Sequence, residues 1–198
     1  MQATNADIIL ISSYPSDSVG IIRSANELGL KTKMFGGNMT GPQSTSIKTS
    51  LGPMLNGIIT FDWWLPSPKL MFPGVEEFFR KYQARAGAEG VDPLGYYLGP
   101  WAYARMQVLA DAIEGTKSLD QQKIADYIRD NTFHTVVGDV KFGKKGEWDK
   151  ARILTVQFQN ISGTSVDDFR GGKGEVVIGP EEYKAGDAIL PYTEAKGK

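Results

Sequence analysis

Residues 6–38, ADIILISSYPSDSVGIIRSANELGLKTKMFGGN, constrain the fold more than any other stretch. Asp7 to Ser13 is an apolar run rich in Ile, too short for a helix, and reads as a buried strand. Pro15 and Ser16 break it, and Ser16 or Asp17 stands where a helix cap belongs. Ile21, Ile22, Ala25 and Leu28 then fall on one helical face, with Gly29 as the stop. Lys31 to Phe35 reads as a second, shorter strand that Gly36-Gly37 interrupts. Strand, helix and strand joined this tightly predict a right-handed crossover on a parallel sheet, and so an α/β fold.

In open α/β sheets ligands sit beyond the carboxyl ends of the strands. Tyr14 follows the first strand and Asn38 the second. If the strands are neighbours, their exits are about 5 Å apart and both side chains face one crevice. The plainer readings are a tyrosine packed over its own helix and an asparagine holding a turn.

Composition removes several alternatives. The 198 residues are 41% hydrophobic and 23% charged, ordinary for a globular chain long enough for one large domain or two lobes. A net charge of −1 gives no electrostatic footprint for nucleic acid. Cysteine is absent and His134 is the single histidine, which leaves no thiol chemistry and no His pair for a metal. No nucleophile elbow, Walker A loop or dinucleotide fingerprint is present. His134 lies between a helix end and an apolar run, where a structural role is expected. Carboxylate-based catalysis would draw on Asp17, Asp62 or Glu147, but no pair has a spacing that places both in one site.

Farther along, a short helix is expected over Pro42 to Ser50 and a third strand over Gly57 to Phe61. Asp62-Trp63-Trp64-Leu65-Pro66-Ser67-Pro68 combines bulky aromatics with helix breakers and marks a boundary, where the Trp rings wall a cleft or fill a domain joint. Val75, Phe78, Phe79 and Tyr82 recur with helical spacing, and Gly87 is the expected end of that helix. A turn at Asp92 to Gly95 leads to a long helix with Pro100 in its first turn. Its expected core stripe is Ala102, Met106, Leu109 and Ile113; the aromatic cluster at its start, with Tyr96, Tyr97, Leu98 and Trp101, is a place to meet a ligand. Ser118 with Gln121 reads as a capping box for a helix with Ile124, Tyr127 and Ile128 inward. Strands are expected over Val136 to Phe142, Ile153 to Phe158 and Glu175 to Ile178, and an irregular tail with a mobile end from Pro180. The charged residues read as solvated faces.

This succession resembles the carboxy-terminal half of a type I periplasmic solute-binding protein of the leucine/isoleucine/valine-binding group that serves ABC transporters. The resemblance is carried by ILISSYPSDSVGIIRSANELGLKTKMFGG, LNGIITF, YYLGPWAYARMQVLADAIEG, IADYIRDNTFHTVVGDVKFGKKGEW and ILTVQFQN. It implies two Rossmann-like α/β lobes around a cleft, with three chain crossings between them. Residues 1–62 and 152–198 would then belong to the carboxy-terminal lobe and residues 63–151 to part of the amino-terminal lobe. The first half and any signal peptide would be missing, so a fragment is expected. The helices over Gly74 to Asn131 would then lack a sheet, and the face of Val75, Phe78, Phe79 and Tyr82 is expected to associate with a second copy or a partner.

The resemblance further implies ligand contact by Tyr14 and by the Tyr97–Leu98 region. Asn38 stands where branched-chain amino-acid binders usually have a glutamate that pairs with the ligand's ammonium. The expected function is an extracytoplasmic, periplasmic solute-binding component that works with a transporter permease. It would take up an amino acid or a related organic acid or amide, without catalysis, cofactor or metal. A ligand-sensing domain of a regulator or receptor with the same fold is the alternative.

Overall fold

The computed structural model describes residues 4–150 and 152–196. The strands are Ile8–Ser13 (β1), Met34–Met39 (β2), Ile59–Asp62 (β3), Thr132–Thr135 (β4), Gly138–Lys141 (β5), Leu154–Phe158 (β6) and Glu175–Gly179 (β7). Five of them form one sheet in the order β1-β2-β3-β6-β7, and β4 and β5 form a separate hairpin. The first three strands run parallel, as the strand-helix-strand punctuation requires, while β6 and β7 are antiparallel to their neighbours. The helices are Pro15–Glu27 (α1), Thr45–Leu51 (α2), Val75–Glu89 (α3), Gly99–Thr116 (α4), Gln121–Asp130 (α5) and Tyr192–Lys196 (α6).

Local chemistry moves several boundaries. Pro15 does not break away from the helix but opens it, with Tyr14 at the N-cap and no side-chain cap from Ser16 or Asp17; proline's fixed φ suits the first helical position. β2 runs through Gly36-Gly37, so Asn38 lies inside the strand and opposite Ser12. The glycines serve close packing there: a Cβ on Gly36 would overlap the carbonyl oxygen of Ile59 on β3, and one on Gly37 would stand 2.7 Å from that of Ile11 on β1. α3 passes through Gly87 and ends at Gly90, which takes the left-handed φ of 65° while Val91 N–H returns to Ala86 O at 3.1 Å. Asp120, not Ser118, caps α5 by accepting from the Lys123 N–H at 2.9 Å. The apolar run expected as one strand over Val136 to Phe142 splits, because Val136 and Val137 form the turn between β4 and β5.

Between β3 and β6 the chain leaves the sheet for about ninety residues of helices and hairpin. Trp64 fixes the departure: it is fully buried, stacks on Phe79 at 4.6 Å between centroids, and donates from Nε1 to Leu70 O at 3.0 Å. Val75 and Phe79 are therefore buried within the chain, which corrects the expectation that their face would seek a partner; Phe78 and Tyr82 remain half-exposed. α4 also turns differently from expectation. Its buried line is Ala104, Val108 and Ala112, and Met106 and Leu109 of the expected core stripe are exposed. α4 packs against α5 and β4. The tail is not irregular throughout: α6 buries Tyr192 against Phe35, with ring centroids 5.2 Å apart. The expected mobile end, residues 197–198, lies outside the described residues.

Candidate functional site

A cleft of about 340 Å3 opens where the carboxyl ends of β1 and β2 meet the start of α4. Pro15, Thr40, Gln43 and Ser44 form one wall, each just beyond a parallel strand or in the turn leading to α2. The opposite wall comes from Tyr82 of α3 and from Asp92, Gly95, Tyr97, Leu98 and Gly99 ahead of and within the first turn of α4.

Asp92 joins the two walls. Its Oδ2 accepts from Thr45 N at 2.8 Å, and its Oδ1 accepts from Thr45 Oγ1 at 2.6 Å, Gly95 N at 2.9 Å and Leu94 N at 3.0 Å. Burial works to raise its pKa, but the hydrogen bonds from Gly95, Thr45 and Leu94 outweigh it and hold the carboxyl below its ordinary range. Asp92 is thus ionised at neutral pH, with its charge taken up by these four hydrogen bonds. Gln43 adds a different resource. It is 4% exposed, its Nε2 donates to Phe61 O at 2.6 Å, and its Oε1 has no donor among the described residues. A buried acceptor left free beside a cleft is suited to a ligand N–H or O–H.

Of the residues expected from sequence, Tyr97 and Leu98 line this cleft, Tyr97 with its ring edge-on to Phe61 at 6.3 Å. Trp101 lies one turn further along α4 and faces another cavity with Val108, Val140 and Trp148. Tyr14 is next to the lining residue Pro15, but it is 77% exposed and outside the lining; Asn38 is likewise exposed and outside it. β1 and β2 are neighbours, as the two-residue reading needs. Gln43 and Asp92 were not expected. Asp92 showed only the spacing of a turn, and Gln43 gave no signal at all.

The charged residues are not all solvated. Lys48 on α2 and Glu175 on β7 are buried, with Lys48 Nζ 2.7 Å from both carboxylate oxygens. Asp62, at the end of β3, is buried too and accepts from Trp63 N at 2.7 Å and Trp64 N at 3.3 Å. Burial pushes the Asp62 carboxyl up to about 7, opposed by Lys48 and reinforced by Glu175. Burial raises Glu175 as well, against the pull of Lys48. The folded state thus holds the Asp62 proton more tightly than the unfolded chain, whose value is the ordinary 3.8. Stability from this group is complete below about pH 4 and falls as pH rises toward about 7. Asp62→Asn keeps an acceptor for both N–H groups and removes the titration. Thermal melts should show the variant more stable at about pH 8, by about 1.4 kcal/mol per unit of raised pKa, and the two proteins converging at about pH 4.

Asp17, Asp62 and Glu147 lie on α1, β3 and the turn before Trp148, and are not gathered into one site. His134 is exposed and bonded to Asp139 at 2.6 Å. Among the described residues no group of three or more His, Asp or Glu is placed to hold a metal ion.

Comparison with known proteins gives this cleft its context. The Leu/Ile/Val-binding protein homolog 1 of Brucella suis is 30% identical over 128 residues, 64% of this chain and 32% of that protein. The leucine-, isoleucine-, valine-, threonine- and alanine-binding protein of Pseudomonas aeruginosa is 24% identical over 147 residues, 74% of this chain and 37% of that protein. The chain thus spans between a third and two fifths of the curated relatives it matches. Among solved structures, an amino-acid ABC transporter substrate-binding protein from Pseudomonas fluorescens superposes with a TM-score of 0.67 at 16% identity, covering 98% of this chain and 48% of that one. A leucine-binding protein from Thermotoga maritima gives 0.61 at 24% identity, with 79% and 42% covered. Both show the α/β fold of periplasmic binding proteins. The periplasmic binding protein family matches residues 1–162, and the chain belongs to that family of solute-binding proteins.

Proposed function

We propose that this chain supplies one lobe, the crossing segments and part of the facing lobe of an extracytoplasmic solute receptor, working with an ABC transporter permease in the periplasm. Residues 1–62 and 152–198 make up the carboxy-terminal lobe in this reading, and residues 63–151 belong to the amino-terminal one. The observation that carries it is the cleft at the carboxyl ends of β1 and β2, with walls from both parts and a free buried acceptor on Gln43. The solute is an amino acid or a related small organic acid or amide. Tyr97 and Leu98 cover its apolar part, while Tyr14 and Asn38 close on it when the cleft shuts around a hinge at Asp62-Trp63-Trp64.

Asn38 is neutral, so it lacks the charge-assisted bond a carboxylate makes to an ammonium, worth about 1.5–3 kcal/mol against roughly 1 for a neutral bond. The acceptor positions of Asp92 are already occupied by four hydrogen bonds. A solute without a free α-ammonium is therefore preferred, by about tenfold. Calorimetry on the full-length protein tests this: leucine or valine binding tightly while the deaminated acids do not would overturn it. Tyr14→Ala should weaken solute binding about tenfold and leave the melting temperature of the free protein unchanged, since the ring is largely exposed. Equal affinity of variant and wild type would remove Tyr14 from the site.

A further inference from the structure

Outside the cleft, one aromatic cluster holds three buried N–H donors that find no acceptor among the described residues. Arg152 is 5% exposed, and its guanidinium carbon lies 4.9 Å from the ring centroid of Phe72, 5.0 Å from Tyr183, 5.5 Å from Trp148 and 5.9 Å from Trp101. Its Nη2 donates to Val137 O at 2.6 Å, but its Nε finds no acceptor among the described residues. Neither do the indole Nε1 groups of Trp101 and Trp148, whose rings meet at 5.0 Å. No carboxylate pairs with Arg152 among the described residues. Arg152, Trp148, Phe72 and Tyr183 border a cavity of about 440 Å3 that shares no lining residue with the cleft.

Buried cations in folded proteins are paired, because an isolated one gives up hydration that nothing replaces. Ring faces offset part of that through their quadrupoles, but they leave the N–H donors unsatisfied. The carboxylate in the wall, Asp139, is hydrogen-bonded to His134 and not to Arg152, and Lys150 adds a further positive charge. Both the charge and the hydrogen bonds call for an anionic acceptor. A planar carboxylate matches the guanidinium fork, and walls of Phe72, Trp148 and Tyr183 suit an apolar body attached to it.

We propose that this cavity binds a small carboxylate with an apolar body, its oxygens on the N–H groups of Arg152 and Trp148 and its body against Phe72, Trp148 and Tyr183. Phe72 follows the first departure from the sheet and Arg152 precedes the return into β6, so such an anion bridges the two connections. The site is independent of the solute held in the cleft.

The test titrates the 198-residue chain with benzoate, acetate and inorganic phosphate, following tryptophan fluorescence, to which Trp148 in the cavity wall and Trp101 packed against it contribute. Benzoate should bind saturably, at least tenfold more tightly than acetate or phosphate. Arg152→Met should abolish the response, and Arg152→Lys, which keeps the charge but loses the fork, should weaken it at least tenfold. Far-UV circular dichroism checks each fold; should the methionine variant not fold, the lysine variant and Trp148→Phe, which keeps a ring but loses the indole donor, carry the test. No saturable benzoate response, an equal or stronger one from phosphate, or one that the Arg152 and Trp148 substitutions leave unchanged would overturn the proposal.

Discussion

Lys48→Met should destabilise the chain by about 3–5 kcal/mol, because it leaves the Glu175 and Asp62 carboxyls buried without their cation. The loss should grow with pH, since both carboxyls are held above their ordinary values and shed their protons only as pH rises. Removing the pair together, as Lys48→Met with Glu175→Leu, should recover most of the loss, since the desolvation cost of the ions goes with them. Urea unfolding of the two single variants and the double one at several pH values measures this. A loss below 1 kcal/mol for Lys48→Met, in the sense of an exposed pair, would show that water reaches the cluster.

Gly36→Ala should cost about 4 kcal/mol or prevent folding. The added methyl meets backbone, the Ile59 carbonyl of the adjacent strand, not a side chain able to turn aside. Its φ of 151° also lies where residues with a Cβ are strained. Relief requires β2 and β3 to separate, and that opens the five-stranded sheet between its second and third strands. Gly20→Ala on α1, where nothing stands within 4 Å of the new Cβ, is the matched control and should gain a few tenths of a kcal/mol up to about 1. Circular dichroism and urea midpoints of the two variants give the comparison.

These two sites also show what sequence conveys about such a fold and what it withholds. The βαβ unit was legible because its periodicity and punctuation are local: Ile8 to Ile11, the α1 face and the short loops need no knowledge of the rest of the chain. Gly36-Gly37 misled for the same reason. Glycine pairs usually mark turns, and only the approach of Ile59, more than twenty residues later, makes them strand residues. Lys48 looked like a surface lysine because its partner, Glu175, is separated from it by 127 residues. The stripe on α4 was misassigned because that helix has apolar residues on two faces, and which one is covered depends on α5 and β4. In the candidate site, Tyr97 and Leu98 were accessible through the aromatic cluster at a helix start. Gln43 and Asp92 were not, since their roles come from hydrogen bonds to Phe61 and Thr45.

The position of β6 has a consequence for synthesis on the ribosome. Its pairing joins Ile59 to Gln157 and Asp62 to Leu154, so the outer edge of β3 has no neighbour until Leu154–Phe158 has been made. At about 5–20 residues per second that interval lasts roughly 5–20 s. During it a nascent three-stranded sheet presents unpaired backbone beside Ile59 and Phe61, the kind of edge on which other chains add strands. The ninety-odd residues translated meanwhile fold largely into helices, whose contacts are local and form quickly. Slow elongation between codons 63 and 153 should therefore raise the insoluble fraction of this chain, and a holdase acting on that window should lower it.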